Sequence, residues 1–200
     1  MQFDTVHSET DGRGVCTVWL NRPNKHNAMS EQMIAELTAM AVELRQSDAR
    51  VVVLAARGLS FCAGGDLKWM QAQIIADSAT RAAAARALAM MLQAWNTLPQ
   101  PVIGRIHGNS FGGGVGLASI CDVAVGVEGA LMGLTETKLG LIPATIGPYV
   151  IARMGEASAP VCLCHPAIFQ LKKLKRLVFW HLWYRKTGLM WPLRQKLNPI

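Results

Sequence analysis

Two glycine loops in this chain have the residue types to do chemistry. Asn109-Ser110-Phe111-Gly112-Gly113-Gly114-Val115-Gly116-Leu117 runs on to Cys121-Asp122. Its three successive glycines expose backbone N–H groups with no side chain in the way, and the apolar residues after them can open a helix directly behind. Such a loop can hold an anion or a polarised carbonyl oxygen, although glycine triplets also mark tight turns and close packing. A second loop upstream, Ser60-Phe61-Cys62-Ala63-Gly64-Gly65-Asp66-Leu67, also follows an apolar strand. One peptide N–H from each loop could then meet at one oxygen.

A thioester carbonyl held by two such donors is a better electron sink, so the proton on the adjacent carbon becomes removable as charge develops on the oxygen. Fixed donors aimed at a developing oxyanion are often the largest catalytic contribution, with roughly 3–4 kcal/mol lost when one is removed. The reaction also needs a proton carrier. Glu136, in Leu134-Thr135-Glu136-Thr137-Lys138-Leu139-Gly140-Leu141-Ile142-Pro143, is the candidate. Among apolar neighbours its pKa would rise toward a useful range; alternatively it is solvated and paired with Lys138. His107, beside the glycine loop, reads as structural. Cys62 and Cys121 read as small core residues, because neither has a basic activator nearby in sequence. Trp69, Met70, Met90 and Met91 suit an acyl pocket or the core.

The elements that must position these loops alternate. Val15-Cys16-Thr17-Val18-Trp19-Leu20 reads as a strand, and Asn21-Arg22-Pro23-Asn24 turns the chain. Ser30 is placed to cap a helix whose apolar positions are Met33, Ile34, Leu37, Met40, Ala41 and Leu44. Residues 50–56 read as a buried strand, 66–76 and 79–98 as helices, 102–106 and 121–127 as further strands. Strands alternating with helices, each strand feeding a loop, predict an α/β domain with parallel character.

Composition narrows the setting. With 51% apolar residues in 200, the chain suits one globular domain with a real core. No long uncharged apolar run and no basic, apolar leader is seen, so neither a membrane span nor a signal peptide is expected. Five cysteines, Cys16, Cys62, Cys121, Cys162 and Cys164, lack zinc-type spacing and point to a reducing compartment, read as the cytoplasm. The net charge of +7 is not a nucleic-acid signal, because eight of the 20 Lys and Arg lie within residues 160–200, which hold no Asp or Glu. The first 159 residues carry 12 basic and 13 acidic side chains.

Four motifs in order resemble the crotonase, or enoyl-CoA hydratase/isomerase, family. They are Asn21-Arg22-Pro23 followed by Asn27-Ala28-Met29, the Phe61 to Leu67 loop, the Phe111-Gly112-Gly113-Gly114 loop ending at Cys121-Asp122, and the Glu136 to Pro143 segment. The resemblance covers about residues 3–159. It implies a spiral of ββα units acting on an acyl-CoA, with coenzyme A as part of the substrate and no further cofactor or metal. By position, the N–H groups of Gly65 and Gly113 would form an oxyanion hole and Glu136 would be the acid/base. Lys25 and His26 would lie along the CoA moiety, Ala63 and Asp66 would flank the adenine, and Gly112 would line the site. Family hydratases of the best-known type carry a second glutamate where this chain has Gly116, so a two-carboxylate mechanism is not expected. Hydration with Glu136 alone, isomerisation by a proton shuttle, and a non-catalytic acyl-CoA-binding remnant all stay open. The runs Asp66-Leu67-Lys68-Trp69-Met70-Gln71 and Leu139-Gly140-Leu141-Ile142-Pro143-Ala144, with Pro148-Tyr149-Val150, resemble the branch that hydrates methylglutaconyl-CoA or related branched substrates in leucine and terpenoid breakdown.

The resemblance stops after Arg153-Met154-Gly155-Glu156-Ala157-Ser158-Ala159. The family implies a homo-oligomer, a trimer or hexamer, built through C-terminal helices that also cover the acyl pocket. Here residues 160–200 form a basic stretch with three of the six tryptophans, Trp180, Trp183 and Trp191. Re-reading the codons for residues 166–200 one base out of frame yields an acidic, alanine-rich, helix-forming string that resembles the missing segment. Because Trp and Met have single codons, the residues decoded across Met190-Trp191, Trp180-His181 and Trp183-Tyr184 are forced to Val, Ala and Val. A one-base shift near the codons for Ser158 to Cys164 is therefore expected.

Overall fold

The computed structural model describes residues 3–164, 168–170 and 182–184. Along β2 (Val15–Leu20) side chains alternate between faces, so Cys16, Val18 and Leu20 are buried while Val15, Thr17 and Trp19 stay half-exposed. β1 (Val6–Thr10) pairs antiparallel with β2 across a tight turn closed by the Gly14 N–H on the Asp11 carbonyl at 3.0 Å. Every later neighbour in this sheet is parallel. Its order is β1-β2-β3-β4-β6-β9, with β3 at Val51–Ala56, β4 at Val102–Ile106, β6 at Val123–Val127 and β9 at Leu182–Tyr184. A smaller sheet sets β5 (Ser110–Phe111) parallel to β7 (Leu131–Gly133), with β8 (Ile168–Gln170) antiparallel outside it.

Parallel strands need crossovers, and helices supply them here. In α1 (Glu31–Arg45) the Ser30 hydroxyl accepts from the Met33 N–H at 3.2 Å, and Met33, Ile34, Leu37, Met40, Ala41 and Leu44 are all buried. α2 (Leu67–Ile75) is followed by α3 (Ser78–Asn96), which is capped by Asp77 and packs on α1. Trp95 of α3 is fully buried and its indole N–H donates to the Leu37 carbonyl at 2.9 Å. α4 (Gly113–Ser119) is buried along its whole length between the sheets and α5 (Gly147–Met154). Arg153 of α5 donates to the carbonyls of Ser119, Cys121 and Asp122, neutralising the C-terminal end of α4. The Asp122 carboxylate accepts from the Val102 N–H at 2.7 Å and so ties that end to the start of β4.

Residue 159, where the family-like part is expected to end, lies at the start of α6 (Ala159–Cys164), and Leu163 packs against the core. Of the three tail tryptophans, Trp180 and Trp191 lie outside the described residues.

The turn between β2 and α1 is held by a buried polar side chain. Asn27 is fully buried at a positive φ of 54°, a conformation Asn tolerates better than most residues. Its Oδ1 accepts from the Arg22 N–H at 2.8 Å, and its Nδ2 donates to the carbonyls of Arg57 and Ser60 at 2.8 and 2.9 Å. Asn27→Ala leaves three partly buried backbone groups without these partners and is expected to cost about 3 kcal/mol. In thermal denaturation followed by circular dichroism, that is a fall in Tm of about 6–12 °C.

Candidate active site

The two glycine loops come together through their backbones. The Phe111 N–H donates to the Cys62 carbonyl at 2.9 Å, and the N–H groups of Phe61 and Cys62 donate to the Asn109 carbonyl at 3.0 and 3.2 Å. A Cβ on Gly114 would lie 2.5 Å from the Cys62 carbonyl oxygen, so only glycine allows this approach. Met29 brackets Gly65: its N–H donates to the Gly64 carbonyl at 2.7 Å, and its carbonyl accepts from the Asp66 N–H at 2.9 Å. Gly113 is the first residue of α4, ahead of any intrahelical acceptor for its N–H. Among the described residues neither the Gly65 nor the Gly113 N–H has a hydrogen-bond acceptor.

Glu136 opens a short 3-10 turn, Glu136–Leu139, after β7. Gly112, at φ 48° and ψ −116°, sits directly under its carboxyl: a Cβ there would lie 2.8 Å from Glu136 Oε1. The other carboxyl oxygen, Oε2, is buried without a partner among the described residues. No pairing of Glu136 with Lys138 is found among the described residues, and Lys138 is exposed. Burial therefore raises the carboxyl above its ordinary 4.5, and the residue's own backbone N–H offsets only part of that rise. Of the two alternatives for Glu136, the desolvated acid beside the glycine loops is the one found.

The remaining sequence candidates divide. His26 is exposed, in a left-handed turn at φ 50°, with Nδ1 3.2 Å from the Ser60 hydroxyl; its carbonyl accepts from the Ala63 N–H at 3.0 Å. Lys25 is exposed at the end of the preceding 3-10 turn, and Ala63 is exposed on the facing loop. The three therefore lie together on one exposed edge. Asp66 is already engaged. It caps α2 by accepting from the Lys68 and Trp69 N–H groups and pairs with Arg22 at 3.0 Å. Partial burial works to raise its pKa, but Arg22 and the two amides outweigh it and hold the carboxyl below its ordinary 3.8. His107 places Nε2 2.8 Å from the Gly58 carbonyl, a structural contact. Cys62 and Cys121 are fully buried, with burial pushing both thiols up to about 12, so neither is a nucleophile. Met91 belongs to the core, whereas Met90 is half-exposed on α3.

Three apolar side chains stand at the glycines: Trp69 and Met70, read above as acyl pocket or core, and Met29, which had no separate role in the sequence reading. A Cβ on Gly113 would run into the Met29 methyl group, and one on Gly65 would meet Met70 Sδ at 2.9 Å and Trp69 Cζ3 at 3.8 Å. Apolar surface continues outward along α2 at Leu67, Ile74 and Ile75 and in the loop at Leu139, Leu141 and Ile142, all exposed. For Met29 the available signal was its place between Asn27, which binds the loop, and Ser30, which caps α1.

A family model for enoyl-CoA hydratase/isomerase matches residues 10–168. The chain belongs to the enoyl-CoA hydratase/isomerase family. Enoyl-CoA hydratase AKT6-1 of Alternaria alternata is 32% identical over 180 residues, covering 82% of this chain and 58% of that protein. The chain thus spans less than two thirds of that relative's length. A crystal structure of an enoyl-CoA hydratase from Shewanella pealeana superposes with a TM-score of 0.88 at 34% identity, over 91% of this chain and 69% of that one. Pseudomonas aeruginosa AtuE gives 0.86 at 35% identity, over 90% and 70%. The crotonase fold expected from the four motifs is therefore shown. Among the described residues no helix is long and apolar enough to cross a membrane, and no cluster of three or more His, Cys, Asp or Glu is placed to hold a metal.

The raised pKa of Glu136 carries a stability signature. A carboxyl whose folded pKa lies above 4.5 binds its proton more tightly in the folded state, so stability is greatest below 4.5 and falls as pH rises through the folded pKa. Glu136→Gln removes the buried charge. The variant is expected to melt above the wild type at about pH 8 and to converge with it as pH falls below the unfolded carboxyl's range, read from melts across that interval. A constant difference at all pH values would contradict the assignment.

Proposed function

We propose that this enoyl-CoA hydratase/isomerase family chain acts on an acyl-CoA thioester by enolate stabilisation, with hydration of a 2-enoyl-CoA as its reaction. The supporting observation is the largely desolvated Glu136 carboxyl lying against Gly112, its Oε2 unpartnered among the described residues, next to a pair of joined loops in which the Gly65 and Gly113 N–H groups have no acceptor among those residues. The thioester oxygen would accept from Gly65 and Gly113. A water oxygen forms its bond to C3 while the C2=C3 electrons move toward the thioester oxygen as an enolate. Glu136 takes the proton that water loses and returns one to C2, so the carboxyl ends as it began. A raised pKa suits a group that must both accept and give a proton.

Isomerisation is a second reading, favoured by the glycine at position 116, which leaves one carboxylate at the site. Glu136 would remove a C2 proton from a 3-enoyl-CoA and deliver it to C4, with no water consumed. Lys25, His26 and Ala63, together on one exposed edge, are proposed to hold the CoA portion, with Lys25 toward a phosphate. Asp66 shapes the adenine side through its cap and its Arg22 pair rather than as a free acceptor. A branched acyl group such as methylglutaconyl is proposed from the resemblance of the runs Asp66 to Gln71 and Leu139 to Ala144. The basic residues beyond 160 are proposed to arise from a shifted reading frame, with a full-length homo-oligomer as the working form. Intact mass of the expressed protein beside a resequenced gene tests that part.

Glu136→Gln tests the chemistry. The amide keeps the shape but cannot carry a proton, so kcat should fall about 10²–10⁴-fold with crotonyl-CoA or methylglutaconyl-CoA, while acyl-CoA binding stays within a few-fold. Unchanged turnover would remove Glu136 from the mechanism. A wild-type chain that binds acyl-CoA without turnover would support the binding remnant instead.

A further inference from the structure

Gly116 lies one turn of α4 behind Gly112, and its N–H reaches back to the Gly112 carbonyl at 3.2 Å. Helical Cα–Cβ bonds tilt toward the N-terminus, so a side chain at 116 would lean back toward Gly112, the glycine under the Glu136 carboxyl. The volume that it would need is occupied. A Cβ on Gly116 would lie 2.5 Å from Ile146 Cγ2, 3.0 Å from Ile146 Cβ and 3.9 Å from Leu92 Cδ2. Ile146 is 3% exposed and Leu92 is fully buried, so neither has room to withdraw. A γ-methyl on a β-branched side chain moves only by changing χ1, which a packed interior opposes.

The backbone fixes Ile146 just as firmly. The segment that carries Glu136 also carries Ile146: the Leu141 N–H donates to the Glu136 carbonyl at 3.1 Å, and the Gly147 N–H donates to the Pro143 carbonyl at 2.8 Å. Ile146 caps α5, and its carbonyl accepts from Tyr149 and Val150. Moving Ile146 out would unwind the start of that helix. The same stretch thus delivers one carboxyl to the site and an apolar plug to the neighbouring position on α4.

We propose that Ile146 is a positioning residue that sets the carboxylate count of this site: by filling the space beside Gly116 it restricts proton transfer to Glu136 and excludes a second acidic group. This rests on the reading of Glu136 as the proton carrier. The consequence is that Gly116→Glu alone cannot install a second carboxylate, whereas the paired change Gly116→Glu with Ile146→Ala can.

Two measurements on the 200-residue chain decide it. In thermal melts, Gly116→Ala is expected to lower Tm by about 5 °C through overpacking against Ile146, and Ile146→Ala to lower it by leaving a void. Combined, they should be less destabilising than the sum, because the new methyl enters the vacated space. Strict additivity, or a Gly116→Ala variant that melts with the wild type, overturns the proposal. For the chemistry, ¹⁸O-water uptake at C3 of a 2-enoyl-CoA is followed across pH. The double variant Gly116→Glu/Ile146→Ala is expected to incorporate label at least about tenfold faster than Ile146→Ala alone and to show a bell-shaped profile where the wild type shows a single limb. Equal rates in folded variants, zero included, overturn it, as does a folded Gly116→Glu that matches the double variant. Glu136→Gln in the same assay separates the failures. If it turns over like the wild type, the proton-carrier reading falls while the melts still report on Ile146.

Discussion

Contact between two backbone loops at glycine is the constraint on which the rest of the molecule depends. Among the described residues each loop leaves one peptide N–H without an acceptor, Gly65 in one and Gly113 in the other. Gly113 is buried and Gly65 half-buried, and a buried unpaired donor costs about 1–3 kcal/mol, so the arrangement persists only where neighbours over-determine it. They do so by bonding the residues on either side. Gly64 and Asp66 are both bonded to Met29, and Gly112 donates to the Gly133 carbonyl at 3.0 Å. With their neighbours held, the two N–H groups have no freedom to find partners of their own.

The motifs that carry the family resemblance are, physically, brackets for that contact. Arg22 sends one guanidinium nitrogen to the Ala28 carbonyl and another to Asp66, joining the turn after β2 to the cap of α2. The pair is largely shielded, with side chains 20% and 14% exposed, and both partners have further hydrogen bonds, which is the condition under which such a pair holds geometry rather than destabilises it. Asn27 closes the same turn from inside, and Asp122 with Arg153 anchors the far end of α4. Arg22, Asn27, Asp66 and Asp122 each hold backbone groups in place, which leaves Glu136 as the motif carboxyl proposed for proton transfer.

That division explains what was legible in sequence. Helix α1 could be read to the residue, since Ser30 and six apolar positions at helical spacing answer to one interface. The parallel strands β3, β4 and β6 were legible as short apolar runs bounded by turns. Strand β1 was not, because four of its five residues are exposed and no apolar alternation marks it. β5 and β7 span two and three residues, too short for any periodicity to register; only the partner strand defines them. Gly65, Gly113 and Glu136 were singled out through motif position. The places of Met29 and Ile146 were not, because nothing in an isolated apolar residue says which glycine it will meet.

What the site holds in reserve is a set of polar groups that do not satisfy one another. Glu136 lies against Gly112, one residue from the free Gly113 N–H, yet its Oε2 accepts from no described donor. Had the carboxyl taken that N–H, charge would have been stabilised in the resting state and its pKa lowered, the opposite of the rise produced by burial. Keeping acid and donors apart leaves both available to a ligand that presents a carbonyl oxygen to the N–H groups and an acidic carbon to the carboxyl. Such pre-organisation is favourable only when the missing partner arrives with charge developing on its oxygen, because donors fixed in a shielded site interact more strongly with a forming oxyanion than with a neutral carbonyl. The unsatisfied groups thus tie the stability of the fold to the chemistry proposed for it: the groups that cost free energy in the fold are the ones proposed to bind the transition state.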